Sequence, residues 1–307
     1  MRRRLASTLA LGGVLAAVAL TVPDATHTYP EMSLTKVSTA SGTDTDKLGR
    51  KNGTIWLLLV GSDARPGQNM NHTRGDALHL IGLNPNNGHA TNIGIPRDSY
   101  VNIPGHGRNK INAALQYGGP RLMGQAVGNL VGVQPQYVLV SSFSGTSDMI
   151  IGIGGVDVYN PRAFRDAYVA PYGFKKGKIH IRGPQAVDFA RARHGLPNGD
   201  FGRSMNQARV IAAIHRKIVA GQNRPGFIAR GVASVMSKMS TTNINPRDLY
   251  RLAYAVAAID PGKVTSCVVQ GGIGNAGAAS VVFPNVGAAR AMGNDARNDA
   301  WLNHGCR

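Results

Sequence analysis

The chain has 307 residues, with 34 Lys and Arg against 16 Asp and Glu, a formal net charge of +18. An apolar fraction of 43% supports a sizeable core and excludes a wholly disordered chain. Two cysteines exclude a disulfide-stapled miniprotein and a four-thiolate zinc site, and two tryptophans with seven phenylalanines leave few platforms for stacking single strands, so the charge points to phosphate, nucleic acid or an anionic envelope polymer.

Arg2, Arg3 and Arg4 precede an uncharged run from Leu5 to Val22, the layout of an export signal. Eighteen helical residues at ~1.5 Å each reach ~27 Å, just short of a ~30 Å hydrocarbon core. With no clean small-x-small cleavage site before Tyr29, residues 1–30 are read as an uncleaved signal anchor, arginines inside and the rest outside. The expected location is the cell membrane, single-pass, with the bulk of the chain extracytoplasmic; secretion after signal cleavage is the alternative. Without residues 1–30 the charge is 31 minus 15, or +16. Outside the cytoplasm a Cys267–Cys306 disulfide is admissible, with two unpaired thiols as the alternative.

Residues 31–53 are polar and read as a linker. Ile55 to Val60 is an apolar run ending at Gly61, the pattern of a buried strand. Ala77 to Leu83 and Ala90 to Ile95 are strand candidates, joined as a hairpin by the Asn84-Pro85-Asn86-Asn87-Gly88 turn. The spacing predicts a helix over Pro120 to Val131, with Pro120 in its first turn. Tyr137 to Val140 reads as a strand, and Ser144 to Ile151 and Pro184 to Ala190 as short helices. Ser204 and Gln207 fit a capping box opening a helix through Ile218, and Asn245-Pro246 opens another. Val264 to Val269 and Ala279 to Phe283 are late strands; after Pro284 the tail is expected to attach loosely. Mixed strands and helices without a strict βαβ rhythm predict an α/β fold, a mixed sheet with flanking helices.

Charged residues recur where apolar elements end: Asp63 and Arg65, Arg74 and Asp76, Arg97 and Asp98, Lys110, then Arg191, Arg193, Asp200 and Arg203. Loops at strand ends are where binding groups sit on a rigid sheet. The planar guanidinium fork suits phosphate, and several converging arginines suit a pyrophosphate. Carboxylates in the same pocket repel phosphate unless a cation intervenes. Mg²⁺ fits, held by one or two carboxylates plus phosphate oxygens, with Asp63 and Asp76 as the ligand candidates and Mn²⁺ as the other candidate ion.

The ordered motifs Leu-Leu-Leu-Val-Gly-Ser-Asp at 57–63, Arg-Gly-Asp at 74–76, Ile-Pro-Arg-Asp at 95–98, Lys-Ile-Asn-Ala-Ala at 110–114, Ala-Arg-Ala-Arg-His at 190–194 and Asp-Phe-Gly-Arg at 200–203 closely resemble the LytR-CpsA-Psr family of bacterial envelope proteins. The resemblance implies an α/β/α sandwich with a central mixed sheet, here a catalytic domain over 54–270 with a Gly/Ala-rich extension over 271–307. It implies a Mg²⁺-dependent phosphotransferase moving a glycopolymer from a polyprenyl-pyrophosphate carrier to peptidoglycan. Asp63 and Asp76 correspond to metal-site residues. Arg65, Arg74, Arg97, Lys110, Arg191, Arg193, Arg203 and Gln207 are assigned to the pyrophosphate. Arg97, Asp98, Arg191, Arg193 and Asp200 are assigned to catalysis, Asp98 or Asp200 being the candidate base. An apolar lipid tunnel is implied, with Leu115, Leu122, Met123, Val127, Leu130, Val138, Phe143, Met149 and Ile150 as candidate lining. The family often has Arg-Ser-Asp-Thr where this chain has Arg74-Gly75-Asp76-Ala77, which removes two hydroxyls near the metal residues.

Other readings are a prenyl-carrier pyrophosphatase, a non-catalytic wall-binding or regulatory protein, and a nucleic-acid binder. Export, scarce aromatics and the lack of a helix-turn-helix pattern count against the last, and no specific nucleic acid is expected as a partner. Gly272-Ile273-Gly274-Asn275-Ala276-Gly277 spells a dinucleotide fingerprint but is read as a loop, because no helix follows it.

Overall fold

The computed structural model describes residues 30–37, 53–65 and 67–306. The signal anchor over 1–30 lies outside these residues except for Pro30, as does most of the linker. Among the described residues no helix is long and apolar enough to cross a membrane.

Seven strands form the central sheet: β1 (Met32–Lys36), β2 (Ile55–Ser62), β3 (Gly75–Asn84), β4 (His89–Gly94), β5 (Tyr137–Ser141), β6 (Met239–Thr242) and β7 (Val264–Val268). Their order is β6-β1-β5-β2-β3-β4-β7. The β6–β1, β5–β2 and β4–β7 pairs are parallel and the other three antiparallel, so the sheet is mixed. Seven helices accompany it among the described residues: α1 (Ala113–Val131), α2 (Phe143–Gly152), α3 (Gly183–Arg191), α4 (Gly199–Gly221), α5 (Pro225–Met236), α6 (Pro246–Ala258) and α7 (Val286–Ala296).

The run at 55–60 is continuous because both faces of β2 are covered, so alternate residues enter different cores. Trp56, Leu58 and Val60 pack with Leu122, Met123 and Val127 of α1 and Met292 of α7. Ile55, with Leu57 and Leu59, faces Leu252 and Ala255 of α6. A third cluster joins α2, α3 and α4 to two small two-stranded sheets through Ile150, Phe164, Phe189 and Val210. Helices on both faces of a mixed sheet make the expected α/β/α sandwich.

Local chemistry sets several boundaries. The β3–β4 hairpin turns at Asn84–Gly88, where Gly88 has φ +74°. Helix α1 breaks at Gly118–Gly119, Gly119 at φ +64°, and resumes at Pro120. Asn245 and Asp248 form a reciprocal capping box at the start of α6. Asp248 also receives Lys36 Nζ of β1 at 3.1 Å and the Tyr137 hydroxyl of β5 at 3.1 Å.

Three expectations need correction. Residues 32–36 are not linker: β1 is an inner strand of the sheet, because β5 and β6 bury Ser33 and Thr35 as well as Met32 and Leu34. The tail is not loosely attached: Ala289, Met292, Ala296 and Leu302 enter the main core, and a Cys267–Cys306 disulfide, Cα atoms 5.3 Å apart, ties its end to β7. Helix α4 begins at Gly199 rather than Ser204, which is buried inside it. Leu115, Leu122, Met123, Val127, Leu130 and Val138 are close-packed core on the α1 face, and Ile150 is fully buried in the third cluster. An apolar cavity of about 260 Å³ lies among α2, α4, α5 and α6, lined by Ile214, Ile218, Phe227, Val232 and Ala253; of the nine candidate lipid-lining residues Met149 lines it. Helical periodicity marks an apolar face but cannot tell whether protein or a void opposes it.

Candidate active site

The site is built at one end of the central strands. On β3 the register slips: Gly61 pairs with Ala77 and Ser62 with Gly75, leaving Asp76 as the extra residue of a bulge. Bulges re-aim side chains, and Asp76 is directed to the Arg97 guanidinium, with Asp76 Oδ2 accepting from Arg97 Nη1 at 2.5 Å. Arg97 and Asp98 lie in the tight turn after β4, where Ser99 N–H returns to Pro96 O at 3.0 Å. The Arg97 carbonyl accepts from Asn112 N–H at 3.2 Å, which fixes the turn against the start of α1. A hairpin, Tyr100–Ile103 with Gly107–Lys110, brings Lys110 back so that Nζ lies 3.0 Å from Asp98 Oδ1.

The opposite wall is the N-terminus of α4. Asp200 in its first turn pairs with Arg203 one turn on, and both are buried. An acidic group in that turn is favoured by the helix dipole. Burial pulls the Arg203 guanidinium below its ordinary value; Asp200 opposes this, while Arg97 and Arg193 add like-charge repulsion. Burial also works against charge on Arg97, but Asp76, Asp98 and Asp200 override it and raise its affinity for the proton. Asp76, Arg97, Asp98, Lys110, Asp200 and Arg203 thus form one electrostatic cluster with Arg193 at its edge.

Three buried atoms of this cluster make no hydrogen bond: Asp76 Oδ1, Arg97 Nε and Asp200 Oδ1, the last ion-paired to Arg203. Arg97 Nε lies 3.9 Å from Asp98 Oδ2, too far for one. An open carboxylate oxygen beside an open guanidinium N–H suits a ligand that accepts from the arginine and brings a cation to the carboxylate. Asp63 is bound to the neighbouring turn, its Oδ1 accepting from Arg74 N–H at 3.0 Å. The Arg65 and Arg74 side chains are exposed, and among the described residues neither they nor Arg193 form an ion pair.

Two assigned residues have partners outside the cluster. The Arg191 guanidinium stacks over the Phe143 ring, 4.4 Å from its centroid, at the start of α2. Gln207 is not presented to the mouth: its Oε1 lies 3.1 Å from His79 Nε2 and its Nε2 donates to Ala190 O at 3.2 Å. It fastens α4 to β3 from inside. Burial pulls the His79 ring below its ordinary value, so it stays neutral there.

Asp166 was not singled out from the sequence. Its carboxylate is buried and accepts from the backbone N–H groups of Arg193 and His194 at 2.8 and 2.9 Å and of Tyr168 at 3.0 Å, setting the turn that aims Arg193. No local pattern marks it, because the partners lie 27 and 28 residues away. Burial alone would raise its pKa, but the three N–H donors hold it at about 2 instead of 3.8. A depressed carboxylate contributes stability above its unfolded pKa, lost as pH falls through the folded one. The stability gap between wild type and Asp166→Asn is therefore expected to be full above about pH 4 and to close towards pH 2, read by acid denaturation.

A mixed sheet thus ends in guanidiniums, carboxylates and a lysine, with a donor and an acceptor left open. The chain belongs to the LytR_cpsA_psr family, whose model matches residues 23–297. It is similar to the polyisoprenyl-teichoic acid–peptidoglycan teichoic acid transferase TagU of Bacillus anthracis, 34% identical over 201 residues, 65% of this chain and 64% of that protein. TagU of Enterococcus faecalis is 28% identical over 198 residues, 64% of each chain. The chain thus spans just under two thirds of the curated relatives it matches. Among solved structures, B. subtilis TagV superposes with a TM-score of 0.64 at 25% identity, covering 82% of this chain and 99% of that one. B. subtilis TagT superposes at 0.66 and 23% identity, covering 86% and 96%, a likeness of fold.

Proposed function

We propose that this protein is a phosphotransferase that moves a glycopolymer from a polyprenyl-pyrophosphate carrier to peptidoglycan, forming a phosphodiester. The observation that carries the reading is the pairing of the Asp76–Arg97–Asp98–Arg203 cluster with the apolar cavity along one helix. Arg203 and Ile214 are both on α4, and eleven residues at ~1.5 Å each separate them by roughly 16 Å. A charged headgroup at one end and a prenyl chain at the other match that layout. The relatives' names, transferases of a polyisoprenyl-linked polymer to peptidoglycan, support the same donor and acceptor.

Asp76, through its open Oδ1, and Asp63 would hold Mg²⁺, or Mn²⁺, since the ion needs only one or two carboxylates beside phosphate oxygens. When bound, the ion neutralises phosphate charge that the carboxylates would otherwise repel. Arg97, Arg203 and Arg193 orient the diphosphate and stabilise charge developing on its leaving side. The acceptor hydroxyl oxygen bonds to the phosphorus bearing the glycan as the bond to the bridging oxygen breaks, releasing polyprenyl phosphate. Asp98 takes the hydroxyl proton: both Asp98 and Asp200 line the open cavity beside the cluster, and Asp98 is the more exposed of the two, 16% against 8%. Residues 1–30 would anchor the chain in the membrane with this domain outside.

Incubation with a synthetic lipid-linked donor, peptidoglycan and Mg²⁺ should give phosphodiester-linked glycan, lost with EDTA; free glycan phosphate instead would make the protein a pyrophosphatase. The cavity gives a separate test. Ala253 lines it, so Ala253→Trp should fill it, raise KM for a long-chain donor by about tenfold and spare a short-chain one. Mass spectrometry should find prenyl pyrophosphate co-purifying with wild type and not with the variant.

A further inference from the structure

The cavity beside the cluster, about 480 Å³, has a second wall that the donor chemistry does not use. One side is Asp98, Arg193, Asn198 and Asp200; the other is Ile273, Ser280 and Val282 of the C-terminal hairpin Gly271–Ala276 with Ala279–Pro284, and Gln270 just before it. That hairpin buries little of itself. Val281 and Val282 are covered, while Ile273 is 75% exposed and Ser280 and Gln270 are also exposed. It is held by the reacting turn: Val282 N–H donates to the Asp98 carbonyl at 2.9 Å, Val282 bridges Ser99, and Phe283 meets Tyr100 edge-on at 6.0 Å. A weakly buried hairpin fastened to the backbone of Asp98 is placed to form a wall of the site.

The chemistry of the space separates it from the diphosphate. Two carboxylates face it against one guanidinium, which disfavours phosphate. Amides and a hydroxyl from Asn198, Gln270 and Ser280 suit neutral hydroxyls, and Pro197, Phe201 and Ile273 supply apolar faces for the C–H side of a ring. The volume lies within the roughly 300–1,000 Å³ of small-ligand sites. A second chamber of about 290 Å³ shares Pro197, Asn198, Phe201 and Gln270 with it and continues towards Arg162 and Arg209, so the cleft admits a chain of rings.

We propose that this cleft, walled by the C-terminal hairpin, binds the hydroxyl-bearing sugar of the acceptor glycan and sets which acceptor is used, through Gln270, Ile273 and Ser280. The inference rests on the transferase reading. A sugar ring could also come from the donor, as the first residue of its glycan. Asp98 favours the acceptor, since the attacking hydroxyl has a proton to give up and the donor's ring does not.

The test is Ser280→Trp, which fills the cavity from an exposed strand position, with Gln270→Ala as a milder second variant. Kinetics with lipid-linked donor and a soluble peptidoglycan disaccharide repeat should show KM for the disaccharide raised by about tenfold in Ser280→Trp, with KM for the donor within about twofold of wild type. NMR titration of the disaccharide alone should show binding to wild type and not to Ser280→Trp. A changed donor KM with an unchanged acceptor KM would assign the ring to the donor and overturn the proposal, as would no change in either. Disaccharide binding lost in the variant, with a wild type that transfers nothing, would keep the subsite and refute the transferase.

Discussion

Arg97→Ala should lower kcat by about 10²–10³, the cost of removing one preorganised charge-stabilising donor, with the protein still folded. Arg97 is the one group that draws on all three carboxylates of the cluster, paired to Asp76 and charged under the influence of Asp98 and Asp200. Its Nε is buried and open, so the residue has a donor to give to phosphate without releasing Asp76. Truncation removes that donor and leaves three carboxylates with Lys110 and Arg203 as the remaining cations of the cluster. Phosphate entry is then opposed where it was favoured. The turn itself survives, because its hold on Asn112 is through the Arg97 carbonyl. Arg97→Lys should recover little, since a point ammonium cannot serve Asp76 and a phosphate oxygen with the fork of a guanidinium. The checks are single-turnover transfer for kcat and thermal unfolding for the fold. A variant that turns over within about threefold of wild type would remove Arg97 from the transition state.

Much of this site was legible because its residues stand at the ends of apolar runs, where the strand pattern stops and binding groups belong. Arg97, Asp98 and Lys110 came together as the hairpin returned to the turn after β4. The bulge that aims Asp76 was not legible, since a register slip depends on the partner strand and β2 carries no local mark of it. The same holds for β1: Met32 and Leu34 are too few to signal a strand, and their neighbours are residues 137–141 and 239–242. At α4 the local pattern misled. Ser204 and Gln207 have the spacing of a capping box, but Gln207 is drawn to His79 and Ala190 O, and the helix starts a turn earlier with Asp200. Long-range polar partners overrode a short-range signature.

Cys306→Ser should cost about 4 kcal/mol of stability and leave the rate of transfer unchanged at room temperature. The bond closes a segment of 39 residues, for which chain entropy gives ~4 kcal/mol at 25 °C. For a domain of this size that is a fall in Tm of roughly 10 °C. Cys306 is the position to change because it is exposed, whereas Cys267 is 1% exposed and packs in the main core. Leaving Cys267 as a buried thiol keeps the core filled, so the loss reads the cross-link rather than a cavity. The tail should stay docked without the bond. Ala289, Met292 and Ala296 of α7 remain packed in the core, and Val282 still bonds Asp98. The hairpin wall and the charged cluster therefore keep their places in the folded state, and the stabilisation acts on the unfolded chain. Denaturant unfolding of the variant, of oxidised wild type and of reduced wild type checks this, the last two bracketing the effect. A variant as stable as oxidised wild type would mean that the unfolded chain already holds these ends together; one that loses transfer at full folding would mean that the bond aligns the hairpin with Asp98.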